Sequence, residues 1–123
     1  MGVAERVAEV LAPLARRRGL ELVKRSDGSL VLRGEAPLYI EVRETGRGVL
    51  VRLGHESLRD YIREVVDTEE NPREVLEELV DEMSMTAFEV AEELRRAGLR
   101  VELDTRSAAM DVLEELEEAE EEE

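Results

Sequence analysis

Apolar residues open the chain at helical spacing. Val3, Val7, Val10, Leu11 and Leu14 recur on one side with Ala between them, which predicts a helix over residues 3–18. Pro13 removes one backbone donor and predicts a kink or break near it. Gly19 follows Arg16, Arg17 and Arg18, the order expected of a helix end with cations at the negative pole of its dipole. From residue 20 the apolar period shortens to two. LELVK, LVLR, LYIEVR and VLVRL are separated by SDGS, GEAP and TGRG. Asp27-Gly28 is a hairpin signal, and Gly46 and Gly48 mark a second turn. An antiparallel meander of three or four strands over about residues 20–53 follows.

The helical period then returns. A short helix is predicted from Ser57, as its N-cap, with Leu58, Tyr61, Ile62 and Val65 inward. Asn71-Pro72-x-Glu74 supplies a cap, a first-position proline and an acid at the third position, and so starts a long helix that ends at Gly98. Its stripe is Leu76, Val80, Met83, Ala87, Ala91 and Leu94. Met85 points away from that stripe, and Phe88 lies about 100–120° from its centre. Twenty-six residues reach about 39 Å, roughly twice a six-residue strand. Either the helix overhangs the sheet and its second side meets a partner, or it breaks near Ser84 with Thr86-x-x-Glu89 capping a second helix. LRVEL (99–103) alternates as a strand, and residues 105–118 form a last helix with Met110, Leu113 and Leu116 on one face. Helices cluster after strands, so the fold class is α+β: a meander of three to four antiparallel strands plus one later strand, with helices packed on one face. One domain over 1–116 is expected, and the acidic run 117–123 is expected to be disordered by like-charge repulsion.

The sheet has two dissimilar faces. Leu30, Leu32, Leu38, Ile40, Val42, Val49, Val51 and Leu53 alternate onto one of them. The other receives Val23, Val31, Tyr39 and Leu50, mixed with Arg33, Arg43 and Arg52; Glu41 and Glu21 share it. Such a face is too apolar for simple solvation and too charged for simple core. Exposed apolar patches mark contacts, so Val23, Val31, Arg33, Tyr39, Arg43, Leu50 and Arg52, together with Met85 and Phe88 on the long helix, are the candidate partner-binding residues.

Composition narrows the chemistry. The chain has 123 residues, 42% of them hydrophobic and 40% charged, with a formal net charge of −15. Aromatics are limited to Tyr39, Tyr61 and Phe88, so Leu, Val, Ile, Ala and Met must build the core. With no Cys, disulfides, thiol nucleophiles and thiolate metal sites are excluded. One His, His55 in LGHES, cannot supply ordinary zinc spacing. It reads as a solvated loop residue rather than as acid–base machinery with Glu56 or Ser57. Calcium-loop, P-loop and dinucleotide fingerprints are missing, so no cofactor or metal is expected. The start, MGVAERVAEV, is amphipathic and acidic rather than a signal peptide, and no apolar run approaches the ~20 residues of a membrane span. A cytoplasmic location is expected. The absence of Gln and Cys beside abundant Glu and Arg fits a thermophilic source.

Charge is unevenly placed. Residues 1–63 hold twelve basic and nine acidic side chains, net +3; residues 64–123 hold five and twenty-three, net −18. The acidic half repels nucleic acid and anionic lipid. These features predict a non-enzymatic protein-interaction module acting as a homodimer, as an adaptor, escort chaperone or regulatory subunit. The alternative is a nucleic-acid or phosphate binder that uses Tyr39 with Arg33, Arg43 and Arg52. A single aromatic is thin for a base-stacking sheet.

One segment, TAFEVAEELRRAGLRVELDTRS (86–107), resembles the helix-then-strand piece of the anticodon-binding domain of class II aminoacyl-tRNA synthetases. The resemblance covers 22 residues and implies a helix, a glycine turn and a strand. The residues before it, EELVDEM, are helical where that family has an apolar strand. The family's later helix and strand have no counterpart, so no function is carried over.

Overall fold

The computed structural model describes residues 2–68 and 71–121. Its elements are α1 (Val3–Arg18), β1 (Glu21–Lys24), β2 (Leu30–Arg33), β3 (Leu38–Thr45), β4 (Gly48–His55), α2 (Leu58–Asp67), α3 (Pro72–Arg96), β5 (Val101–Asp104) and α4 (Arg106–Glu121). The fold is α+β, with four helices against a five-stranded mixed sheet. Strands β1 to β4 form the antiparallel meander in sequence order, and β5 joins β4 in parallel.

Local chemistry explains the boundaries. Helix α1 ends in a Schellman turn: Gly19 takes φ 67, its N–H reaches the Arg16 carbonyl, and the Leu20 N–H donates to the Ala15 carbonyl at 2.8 Å. The helix is not broken at Pro13. Pro13 and Glu9, whose carbonyl loses its usual donor, are both exposed, so the missing bond falls on the solvent side of the helix. At the start of α3, Asn71 Oδ1 accepts from the Arg73 N–H at 3.0 Å and the Glu74 N–H at 3.5 Å. Ser57 takes the N-cap position of α2, but with φ 54 and no capping bond from its hydroxyl. Leu99 lies in the link before β5 rather than in the strand, because its N–H donates back to the Leu94 carbonyl of α3 around Gly98.

One sheet face carries the core. Across the register, Leu22, Leu32, Ile40 and Leu53 form one row, and Leu30, Val42, Val51 and Leu103 the next. Helix α1 packs on β1 and β2, α3 on β3, β4 and β5, and α4 on β4. Leu11, Leu14, Leu76, Val90 and Leu94 meet the two rows in one buried cluster. The parallel β5 is anchored tightly: Gly48, at φ 152, lies so close to Arg100 that a Cβ there would overlap its carbonyl, and the Val49 N–H donates to that carbonyl at 2.9 Å.

The long helix is continuous, so of the two alternatives the break near Ser84 is the one that does not occur. Thr86 is buried, and its hydroxyl bonds back to the Glu82 carbonyl at 3.1 Å instead of capping a new helix. The overhanging N-terminal half is covered by the chain itself. Helix α4 runs antiparallel to it, with Arg73 Nη2 3.2 Å from Glu120 Oε1 at one end and Val80 beside Ala109 and Leu113 further along. Helix α4 also continues to Glu121, past the expected start of a disordered tail at residue 117. Its end is held because Leu116 is buried, Ala119 packs on the core, and Arg59 Nη2 lies 2.6 Å from Glu118 Oε2. Residues 122–123 of that expected tail lie outside the described residues. Within α4, Ala108, Val112 and Leu116 face the core, whereas Met110 and Leu113 are 64% and 44% exposed.

Candidate functional site

The second face of the sheet gathers most of the residues singled out from the sequence. The register sets Val23, Val31, Glu41, Arg52 and Asp104 in one row across all five strands. Arg43, Leu50 and Glu102 form a second row, and Tyr39 stands opposite Gly54. Every helix that meets the sheet does so on the other side. Yet Val31 and Glu41 are each only 2% exposed. The face roofs itself with its own long side chains, whose stems cover apolar surface while their heads stay wet.

Glu41 is the centre of that roof. Its Oε1 accepts from Arg52 Nε at 3.0 Å and lies 3.3 Å from Arg43 Nη2; its Oε2 accepts from Arg25 Nη1 at 3.1 Å. A carboxylate removed from water is strongly disfavoured unless paired. Three guanidinium groups, 35–47% exposed, supply the pairing here. Arg43 also lies 3.4 Å from Asp27, whose carboxyl is held below its ordinary value first by the Ser29 hydroxyl and then by the Ser29 N–H. At the β5 edge, the Ser107 N–H and hydroxyl hold Asp104 low, with Arg52 adding to the effect.

Tyr39 is occupied on this face. Gly54 has no Cβ because one would overlap the ring, so the phenol lies across the β4 backbone. Arg25 sits over the ring at 4.8 Å from its centroid. The Tyr39 hydroxyl is the main reason the Arg25 guanidinium is raised above its ordinary value; burial opposes it, and Tyr39, Glu41 and Asp27 add further favourable charge.

Val23, Val31, Tyr39, Arg43, Leu50 and Arg52 therefore belong to one surface. Arg33 stands at its margin, 3.8 Å from Glu56. Met85 and Phe88 are elsewhere, on α3 in the helical layer, 70% and 55% exposed. Sequence reasoning placed Glu41 on this face but missed its role, and did not include Arg25 among the candidates. The signal was an acid at the centre of an alternating strand, directly opposite Arg52 on β4 and two residues from Arg43 on its own strand.

His55 Nε2 lies 3.1 Å from Asp111 Oδ2 and so ties β4 to α4. Two shallow openings, of ≈ 460 and ≈ 630 Å³, flank the β2–β3 turn and share Glu21, Arg33 and Glu35. Among the described residues no group of three His, Asp or Glu side chains is set to hold a metal ion, and no helix is long and apolar enough to cross a membrane. Comparison with known protein families, with curated proteins and with solved structures finds no match for this chain.

Proposed function

We propose that this protein is a non-enzymatic interaction module that associates with a second copy of itself through the open face of its sheet. It would serve as an adaptor, escort or regulatory subunit. The observation that carries this reading is a sheet face without a covering helix, on which half-buried Val23, Tyr39 and Leu50 stand among arginines in the middle and acids at the β5 edge. The banding is self-complementary. Turning a second copy about an axis along β4 sets β3 over the partner's β5 and brings Arg43 toward Glu102.

Its size sets the strength. Five strands about 4.8 Å apart, four to eight residues long, give at most a face of about 430 Å² in projection. That is about half of the ~800 Å² per partner in a standard interface, so the dimer is weak, in the micromolar range or above. Its charge pairs make it sensitive to salt.

Sedimentation equilibrium between about 5 and 500 μM tests the reading, alongside Leu50→Glu, which sets an acid next to Glu102. The wild type is expected to dimerise with a midpoint that rises with salt, and the variant to stay monomeric while folded by circular dichroism. A wild type that remains monomeric at about 500 μM, or a variant that dimerises equally, overturns the proposal.

A further inference from the structure

The helical layer carries a second, chemically different surface. All of the large apolar side chains that are exposed among the described residues lie on helices: Val66, Met85, Phe88, Met110 and Leu113. A groove of ≈ 310 Å³ runs between α3 and α4, floored by Val80, Ala109, Val112, Leu113 and Leu116. At 100° per residue, Phe88 lies about 80° around α3 from Val80, between Glu77 at about 60° and Asp81 at about 100°. Phe88 thus extends the strip of groove residues by two turns. From Arg73 to Phe88 the strip is about 22 Å long, the length of a helix of about fifteen residues.

The rim is acidic. Glu77 and Asp81 border the groove on α3. On α4, Glu117 follows Leu113 and Glu114 follows Met110 by four residues, which puts each acid beside an exposed apolar side chain. Among the described residues these four carboxylates form no ion pair, unlike Glu115, Glu118 and Glu120, which pair with Arg59 and Arg73. The rim charge is therefore not neutralised internally. A second copy would bring the same sign and be repelled. A basic partner finds both halves of its complement here: an apolar floor with two adaptable methionines beside it, and carboxylates along its edges.

We propose that the α3–α4 groove docks a basic amphipathic helix of a protein partner, with its apolar stripe on Val80, Leu113 and Phe88 and its lysines or arginines against Glu77, Asp81, Glu114 and Glu117. The full chain is titrated, in about 50 mM salt, with a fluorescein-labelled fifteen-residue peptide that carries Leu at positions 1, 4, 8 and 11 and Lys elsewhere. A scrambled peptide of identical composition is the control. The patterned peptide is expected to bind with micromolar affinity and to shift the amide resonances of residues 73–88 and 109–117. Binding is expected to weaken about tenfold or more for the scramble, and likewise for Leu113→Lys or, should that variant unfold, Met110→Lys. Equal binding of the scramble reduces the effect to polyanion attraction and overturns the proposal. So does indifference to the folded groove variant, or no binding at about 100 μM peptide.

Discussion

Replacing Glu41 with Gln isolates the charge at the centre of the sheet while keeping its shape. Glu41 accepts two charge-assisted hydrogen bonds, from Arg25 and Arg52, and Arg43 stands within 3.3 Å. A hydrogen bond to a charged group contributes about 1.5–3 kcal/mol, so the pair is worth up to about 6 kcal/mol if nothing relaxes. The arginines do relax. They are 35%, 45% and 47% exposed, so water takes up much of what Glu41 releases. The buried carboxyl site cannot, being 2% exposed, and the new amide turns one N–H₂ toward a guanidinium donor. The expected cost is about 2 kcal/mol. Urea unfolding followed by circular dichroism at pH 7 reads it directly; guanidinium chloride is avoided because it screens the pairs under test. With a slope of about 2 kcal/mol/M, the midpoint should fall by about 1 M at unchanged slope. Glu41→Leu should cost less, because it removes the polar atoms that need partners and leaves the arginines free to face water. A Gln variant within about 0.5 kcal/mol of wild type, or a Leu variant less stable than the Gln variant, refutes the account of Glu41 as a paired buried charge.

Two further outcomes follow from the geometry. Gly48→Ala forces a side chain into φ 152 and onto the Arg100 carbonyl; it should cost about 2–4 kcal/mol and speed hydrogen exchange at the Val49 amide, which donates to that carbonyl. Glu89 bridges Arg17 and Arg18 of α1 to α3, and Arg18 first, then Arg17, depresses its pKa below the ordinary 4.5. A depressed carboxylate contributes stability that is present above its unfolded pKa and lost as pH falls through its folded value. Glu89→Gln should thus cost about 1 kcal/mol at pH 7, and its difference from wild type should shrink as pH falls below 4.5 and vanish once pH has passed through the depressed folded value.

The sequence predicted local features well because local physics dictates them. Asp27-Gly28, Asn71-Pro72 and Gly19 each specify a backbone geometry within a few residues, and each sits where expected. Alternation likewise assigned Val31, Tyr39, Glu41, Arg43, Leu50 and Arg52 to one face. Periodicity, however, says which face a residue takes and not what lies beside it. The parallel pairing of β5 with β4 depends on a Gly48–Arg100 contact between residues far apart in sequence. For the same reason periodicity left a break near Ser84 open, when α4 packs along the N-terminal half of a continuous α3. Glu41 stayed hidden because one of the three arginines around it, Arg25, reaches across from beyond β1. The acidic tail was misjudged because like charges were counted without Arg59 and Arg73 on neighbouring helices.

These long-range facts also weigh the two readings of the sheet face against each other. A single-strand reader needs a free aromatic platform with unspent cations around it. Here Tyr39 is covered by Arg25 and laid over Gly54, while Arg25, Arg43 and Arg52 spend part of their charge on Glu41. Asp27, Glu102 and Asp104 border the cluster with negative charge. A phosphate chain would have to displace Glu41 from its arginines and cross an acidic edge. A second protein surface need only match the pattern as it stands. The arrangement that makes Glu41 tolerable at 2% exposure is therefore the same one that turns the face from a basic patch into a mosaic of both signs, the pattern on which the proposed protein contact rests.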